Sequence, residues 1–249
     1  MRHITFRQFE VFEAKSLAWE VYDPDKLLEQ AKAAENRLHT GEPCRILEGI
    51  PVGIKDIFNT KDFPTQMGSP IYKGFTPGND ARVVFYLREA GAIIPGKTTT
   101  AEFAVDALSK TLNPYDPSRT PGTSSSGSAV AIAMGMVPAS LGTQTAGSII
   151  RPASFCGIYG YKPSFGIIPR TAMLKTTDSL DTVGFFTLWY KDLQRLFETL
   201  RVRGHNYPFV HEALSNSNRQ SKLKDQPWRA ALIRPHVWHQ AEDYAKESL

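Results

Sequence analysis

Apolar residues recur at helical spacing in several parts of the chain. In residues 23–40 this spacing predicts a helix, and Asp23 is suited to be its N-cap. A second helix is predicted over residues 80–90, with Asp80 as its N-cap and Gly91 directly after its end. The same reasoning predicts three more helices, at residues 129–136, 188–201 and 239–248. The small apolar residues of the first of these indicate that it is buried.

Short apolar and β-branched runs predict the strands, at 50–58, 92–95, 137–143 and 229–233. The polar, irregular residues 203–227 predict a surface connection. Because helices and strands alternate, we expect an α/β sheet with helices on its faces, formed by a single domain over residues 1–249.

Composition narrows the functional classes. The chain has 249 residues, of which 41% are hydrophobic and 22% charged, as in globular proteins. The net charge of +4 is spread along the chain, so we expect no nucleic-acid partner. Pro138 and polar residues interrupt the most apolar stretch, and no apolar signal follows the N-terminus, so we expect no membrane segment. Cys44 and Cys156 lack metal-site spacing and are expected to be reduced thiols in the cytoplasm.

Two serine-bearing turns flank the predicted buried helix. The first is GTSSSGS at residues 122–128, and the second is GTQTAGSII at residues 142–150. A flexible linker is one interpretation of the first turn, and a phosphate-binding loop is another, although no lysine follows Gly127 as a P-loop would require. In the second turn, small residues precede Ser148, so a substrate carbonyl could approach backbone N–H groups closely. The pair of turns favours a serine nucleophile.

A serine nucleophile needs a base, and histidine is the usual one. None of the six histidines lies near either turn in sequence. Lys55 is the alternative, because it follows the apolar run Pro51-Val52-Gly53-Ile54 and burial would lower its pKa. On the residues alone, a solvated lysine at a strand end is the more common arrangement, and the question stays open.

Three segments, PVGIKDIFNT, TPGTSSSGSAVAIA and LGTQTAGSIIRPASFCGIYGYKPSFG, occur in an order and spacing that resemble the amidase signature family. GAIIPGKTTTAEFA and SLDTVG resemble further segments of that family. The resemblance covers residues 20–240 and implies a mixed β-sheet flanked by helices on both faces, incomplete at its C-terminal end. It also implies that no metal or other cofactor is needed.

The resemblance implies a Ser–cis-Ser–Lys triad that cleaves the C–N bond of a small carboxamide through an acyl-enzyme. By motif, Ser148 is the nucleophile, Ser124 the bridging serine and Lys55 the base. The oxyanion hole is expected at Thr145, Ala146 and Gly147. Supporting residues are expected at Ser125, Gln144 and Arg151.

The sequence departs from the family pattern at three positions. Gln144 stands where the family often has aspartate, and Ile150 where it has an arginine expected to bind the substrate carboxylate in the glutamine-specific tRNA amidotransferases. Both charges are missing together, which is easier to tolerate than the loss of one, because neither is left buried alone. Without the arginine that would bind the substrate carboxylate, the chain is not expected to be the A subunit of such an amidotransferase. Thr123 stands where the family commonly has glycine, and a β-branched residue is costly wherever φ is positive.

Full family members continue well beyond the length of this chain, so a truncated member is expected. The alternatives to a carboxamide hydrolase are an amidotransferase component and a non-catalytic truncated fragment. A homodimer or a complementing C-terminal chain is the expected assembly.

Overall fold

The computed structural model describes residue 9, residues 11–207, residues 227 and 231, and residues 233–247. The chain divides into two compact units, Met1–Val202 and Arg203–Leu249, which are described separately. The single domain over residues 1–249 stays a prediction. Most of the strand predicted at 229–233 and most of the connection predicted at 203–227 lie outside the described residues.

The first unit is built on a mixed six-stranded sheet. Its strands are β1 (Trp19–Tyr22), β2 (Val52–Lys55), β3 (Gly96–Thr98), β4 (Ala139–Gln144), β5 (Tyr159–Tyr161) and β6 (Thr182–Thr187), in the order β1-β3-β2-β4-β6-β5. The inner pairs β3–β2 and β2–β4 are parallel, and the three outer pairs are antiparallel. β2 therefore lies in the middle of the sheet.

Five labelled helices accompany these strands in the first unit: α1 (Pro24–His39), α2 (Arg82–Glu89), α3 (Ser126–Ala133), α4 (Ile150–Cys156) and α5 (Tyr190–Leu200). Residues 11–16 are also helical. The second unit contains a 3₁₀ turn at Trp238–Gln240 and the short helix α6 (Asp243–Glu247), which together replace the longer helix predicted at 239–248.

Helices cover both faces of the sheet. Successive side chains of a strand point to opposite faces, and the adjacent residues Phe185 and Phe186 of β6 belong to two different core clusters. The cluster around Phe185 includes residues of α2 and α5, among them Leu87 and Leu196. The cluster around Phe186 includes residues of α3 and α4. The predicted mixed sheet between two helical layers is confirmed.

The predicted helices at 23–40 and 188–201 are confirmed as α1 and α5. Asp23 is the N-cap of α1, and its carboxylate accepts hydrogen bonds from the backbone N–H groups of Asp25 and Lys26. The predicted cap of α2 is wrong, because Ala81 occupies that position. Asp80 instead accepts from the Lys61 N–H and pairs with Arg88, at 3.0 Å in each case.

The strand predicted at 92–95 is also misplaced, since β3 begins only at Gly96. A side chain at Gly96 would meet the Val21 carbonyl oxygen at 2.1 Å, so only glycine lets β1 and β3 pair here. The strand then continues through Lys97 and Thr98, which are polar yet completely buried. Hydrophobicity alone therefore could not locate it.

The buried helix predicted at 129–136 begins three residues earlier, within the serine cluster. Its serines are buried because each finds a partner. The Ser128 hydroxyl donates to the Leu141 carbonyl at 2.8 Å, and Ser126 lies 2.6 Å from the Ser109 hydroxyl. β1, α4, β5 and β6 were not predicted, since they are short or follow turn-rich segments.

Candidate active site

Lys55 is the last residue of the central strand β2 and is completely buried. Its Nζ lies 2.8 Å from the Ser124 Oγ, 3.0 Å from the Ser125 Oγ and 2.9 Å from the Thr143 Oγ1. Among the described residues it forms no ion pair. An amine enclosed by three hydroxyls, with no carboxylate in contact, is arranged to exchange protons with an alcohol.

Burial away from water lowers the pKa of Lys55 to about 7, and the negative charge of Asp181 opposes part of that fall. Desolvation has this effect because it disfavours the charged ammonium form. The amine is therefore uncharged in a large fraction of molecules near neutral pH, as a general base must be.

The hydroxyls around Lys55 have different hydrogen-bond roles. Ser125 donates its only hydroxyl proton to the Thr143 carbonyl at 3.2 Å, so it must accept from Lys55. The Ser124 and Thr143 hydroxyls have no second partner among the described residues, so either could pass its proton to a neutral Lys55 amine. Ser124 is the one to which the sequence motif gives that role.

The Ser124 backbone is fixed independently of its side chain. The Thr123–Ser124 peptide bond is cis, and the Ser124 carbonyl accepts from the Ala101 N–H and the Thr100 hydroxyl. The positive φ of 86° in this loop belongs to Gly122, where a side chain would meet the Pro152 backbone at 2.9 Å. Thr123 is not among the positive-φ residues, so its branched side chain is accommodated without that cost.

Ser148 lies in the turn between β4 and α4 and is half-buried. Within the described residues its hydroxyl forms no hydrogen bond, and the structure does not bring it into bonding contact with Ser124. The backbone N–H groups of Thr145, Ala146 and Gly147 likewise have no acceptor in the described part of the chain. Unpaired N–H groups beside a half-buried serine could bind an oxyanion.

Gln144 shapes this turn with both ends of its amide. Its Oε1 accepts from the N–H groups of Ile149 and Ile150, both at 2.9 Å, and its Nε2 donates to the Ala146 carbonyl at 3.0 Å. A carboxylate could make only the first two contacts, because it has no proton to donate. A neutral amide therefore suits this turn better than the aspartate common in the family.

Arg151 connects the two serine turns. Its Nε and Nη2 donate to the Thr123 carbonyl at 3.2 and 3.0 Å, and Nη2 also reaches the Thr123 hydroxyl at 3.1 Å. The guanidinium thus holds the residue that precedes Ser124, and its fork is occupied by the protein itself.

Asp181 and Thr143 are two site residues that were not expected from the sequence. Asp181 is only 3% exposed and accepts a hydrogen bond from the Thr145 hydroxyl at the start of the Ser148 turn. Burial opposes its ionisation, but hydrogen bonds from Thr145, Thr177 and Thr176 outweigh burial and hold its pKa below the usual range. The SLDTVG segment was the available signal for Asp181, whereas Thr143 offered none.

A second buried lysine lies on the neighbouring strand. Lys97 contacts Asp56 at 3.1 Å, and both side chains are fully buried. Unlike Lys55, Lys97 has a carboxylate partner, and it also donates to the Thr65 hydroxyl at 2.8 Å. This pair secures the segment that follows Lys55 without entering the hydroxyl cluster.

No three histidine, cysteine, aspartate or glutamate side chains come together as a metal site in the part of the chain that the structure describes. No helix found there is long and apolar enough to cross a membrane.

The chain is similar to proteins of known class. Residues 5–248 match the family model for Amidase. A curated relative from Picosynechococcus sp., the A component of its glutamyl-tRNA(Gln) amidotransferase, is 39% identical over 208 residues. The match covers 81% of this chain and 42% of the relative.

Two solved structures extend the comparison. The native peptide amidase of Stenotrophomonas maltophilia superposes with a TM-score of 0.77 at 29% identity, covering 92% of this chain and 47% of that one. A chain of a vestigial protein complex, studied for the evolutionary origins of an s-triazine catabolic enzyme, gives a TM-score of 0.78 at 30% identity, with coverages of 82% and 46%.

The family match covers nearly the whole chain, and the solved structures share its mixed α/β fold. The chain belongs to the amidase family. It spans less than half the length of these three relatives.

Proposed function

We propose that the chain hydrolyses the C–N bond of a small carboxamide, with Ser148 as nucleophile, Ser124 as proton bridge and Lys55 as base. The observation that carries this proposal is the environment of Lys55. Its Nζ is fully buried, lies 2.8 Å from the Ser124 hydroxyl and has a pKa of about 7. A lysine serving only structure would retain a carboxylate partner, as Lys97 does.

The proposed reaction begins with neutral Lys55 accepting the Ser124 proton, while Ser124 takes the proton of Ser148. The Ser148 oxygen forms a bond to the carboxamide carbon, and the carbonyl electron pair moves onto oxygen. The N–H groups of Thr145, Ala146 and Gly147 stabilise that oxyanion. The amine leaves with the proton returned through the relay, and water then cleaves the acyl-enzyme along the same route.

This reaction requires a Ser148–Ser124 hydrogen bond, which the structure does not contain. Catalytic hydrogen bonds often shorten only in the complex. The turn around Ser148 is already held by Gln144, and Arg151 joins it to the Ser124 loop. We propose that a carbonyl bound at the unpaired N–H groups directs the Ser148 hydroxyl toward Ser124.

The second candidate is an amidotransferase component that releases ammonia from glutamine for a partner enzyme. The name of the Picosynechococcus relative favours it and weighs against the expectation drawn from Gln144 and Ile150. The contacts of Arg151 favour the simple amidase, because its Nε and Nη2 atoms donate to Thr123 and so do not offer a substrate carboxylate a paired contact. In either case a partner chain is part of the proposal, because one relative is named as a subunit of an amidotransferase and another belongs to a protein complex.

The test is ammonia release from a panel of small carboxamides and from glutamine, measured across pH. Release from neutral carboxamides is expected, with a rate that rises as pH increases through about 7, because only unprotonated Lys55 accepts a proton. Ser148→Ala should abolish release, and Lys55→Ala should nearly do so. Ammonia release from glutamine but not from the other carboxamides, and only when a second protein is present, would favour the amidotransferase. Unchanged release by Ser148→Ala would reject the triad.

A further inference from the structure

Asp181 lies just before β6, where it is surrounded by threonines. Its carboxylate accepts hydrogen bonds from the hydroxyls of Thr145, Thr176 and Thr177 and from the backbone N–H groups of the last two. All five contacts favour the ionised form. A buried carboxylate held in this way keeps its charge and cannot change its position easily.

The position of Asp181 relates it to the proposed oxyanion turn. Its neighbour Thr182 pairs with Gln144 at the end of β4, so Asp181 lies beside the first residue after that strand, Thr145. The hydrogen bond from the Thr145 hydroxyl thus links the start of the turn to β6. Gln144 holds the turn from within, and Asp181 holds it from the adjacent strand.

Asp181 and Lys55 contact the same short stretch of chain, because the Lys55 Nζ lies 2.9 Å from the Thr143 Oγ1 and the Asp181 carboxylate accepts from the hydroxyl of Thr145, two residues further on. At this separation the negative charge of Asp181 favours the ammonium form of Lys55. It makes no direct contact with the Lys55 amine.

Three charged groups lie on the neighbouring elements. Lys97 on β3 is paired with Asp56, whereas Arg151 keeps its charge while it donates to the uncharged Thr123. The helix α3 carries no ionisable side chain.

We propose that Asp181 is a positioning residue for the amide hydrolysis proposed above, with its carboxylate fixing Thr145 at the start of the oxyanion turn and its charge acting on the Lys55 amine. The two effects are separable. Thr145→Val removes the hydrogen bond and keeps the charge, whereas Asp181→Asn removes the charge and keeps the side-chain shape. Asp178→Asn, on the same loop and exposed, is the matched control for loss of a negative charge.

The first readout is independent of activity. In protein labelled with ¹³C at lysine Cε, the Lys55 signal is assigned by its loss in Lys55→Arg, and its titration midpoint is measured by NMR. A negative charge favours the ammonium form, so Asp181→Asn should lower the midpoint, by up to about one pH unit for a charge that is not in contact. Thr145→Val and Asp178→Asn should leave it within about 0.2 unit. An equal midpoint in Asp181→Asn and the unaltered protein would overturn the proposal.

The second readout is the rate of fluorophosphonate labelling against pH. Thr145→Val should lower the plateau rate about tenfold and leave the pH midpoint unchanged. Asp181→Asn should lower both the plateau rate and the pH midpoint. An unchanged plateau in a folded Thr145→Val variant would also overturn the proposal. If the unaltered protein is not labelled, the proposed function fails, while the NMR midpoints still decide whether the Asp181 charge acts on Lys55. Thr145→Val keeps the proposal falsifiable should Asp181→Asn unfold.

Discussion

The buried Lys97–Asp56 pair allows a quantitative prediction about stability. Both side chains are fully buried, and the Lys97 Nζ lies 3.1 Å from the carboxylate. Replacing Asp56 by asparagine leaves an uncompensated ammonium group in the sheet, which typically costs about 3–5 kcal/mol. Lys97 keeps the Thr65 hydroxyl and the Pro64 carbonyl as acceptors, so we expect the lower end, about 3 kcal/mol.

The loss of folding stability in Asp56→Asn should depend on pH in a defined direction. Burial lowers the pKa of Lys97 to about 8, and the Asp56 charge opposes that fall. Without this charge the folded-state pKa falls further, so the variant loses the Lys97 proton at lower pH than the original protein does. The unfolded variant then binds more protons than the folded one, and its stability rises with pH. The difference between the two proteins should be larger at about pH 6 than at about pH 9.

Urea unfolding followed by tryptophan fluorescence at both pH values measures this difference. Glu20→Gln is the matched control, because its partner Lys110 is 44% exposed, and we expect a change within about 1 kcal/mol. A loss below about 1 kcal/mol for Asp56→Asn at both pH values would refute the reasoning, as would a loss that does not depend on pH.

Three further predictions concern the turns and the thiols. Gln144→Glu should lower stability by about 1–3 kcal/mol in urea unfolding, because the new carboxylate faces a backbone carbonyl; an unchanged midpoint would contradict the role of its amide proton. Arg151→Ala should slow fluorophosphonate labelling at least about tenfold, since three hydrogen bonds to Thr123 are lost, and an equal rate would contradict this. Iodoacetamide at about pH 8 should alkylate the folded protein once, at exposed Cys44, because burial raises the pKa of Cys156 to about 12; double alkylation, read by intact mass, would be inconsistent with that burial.

The sequence was most informative where local physics decides the structure. The α1 helix and its Asp23 cap could be predicted because a cap acts within one turn of chain. Asp80 has the same capping chemistry, yet its carboxylate pairs with Arg88 and accepts from the Lys61 N–H, and these tertiary contacts are invisible to a local pattern. β3 was misplaced for a similar reason, since Lys97 becomes a core residue only through its partner Asp56.

In the candidate site, too, local motifs could be recognised from the sequence, whereas contacts between distant residues could not. The three motif segments allowed Lys55, Ser124 and Ser148 to be chosen, and the structure adds the burial and the hydroxyl contacts of Lys55. Asp181 could not be assigned a role from sequence, because it lies 36 residues from Thr145 and the two meet only through the pairing of β4 with β6. Sequence motifs identified the candidate reacting groups, and the fold was needed to find what holds them.

The most direct test of the proposed catalytic site is the covalent labelling of the purified 249-residue chain by a fluorophosphonate, read by intact mass and peptide mapping. We expect one adduct, located on Ser148, that disappears in Ser148→Ala and forms faster as pH rises through about 7. A well-folded chain that remains unlabelled, or an adduct that persists in Ser148→Ala, would contradict this expectation.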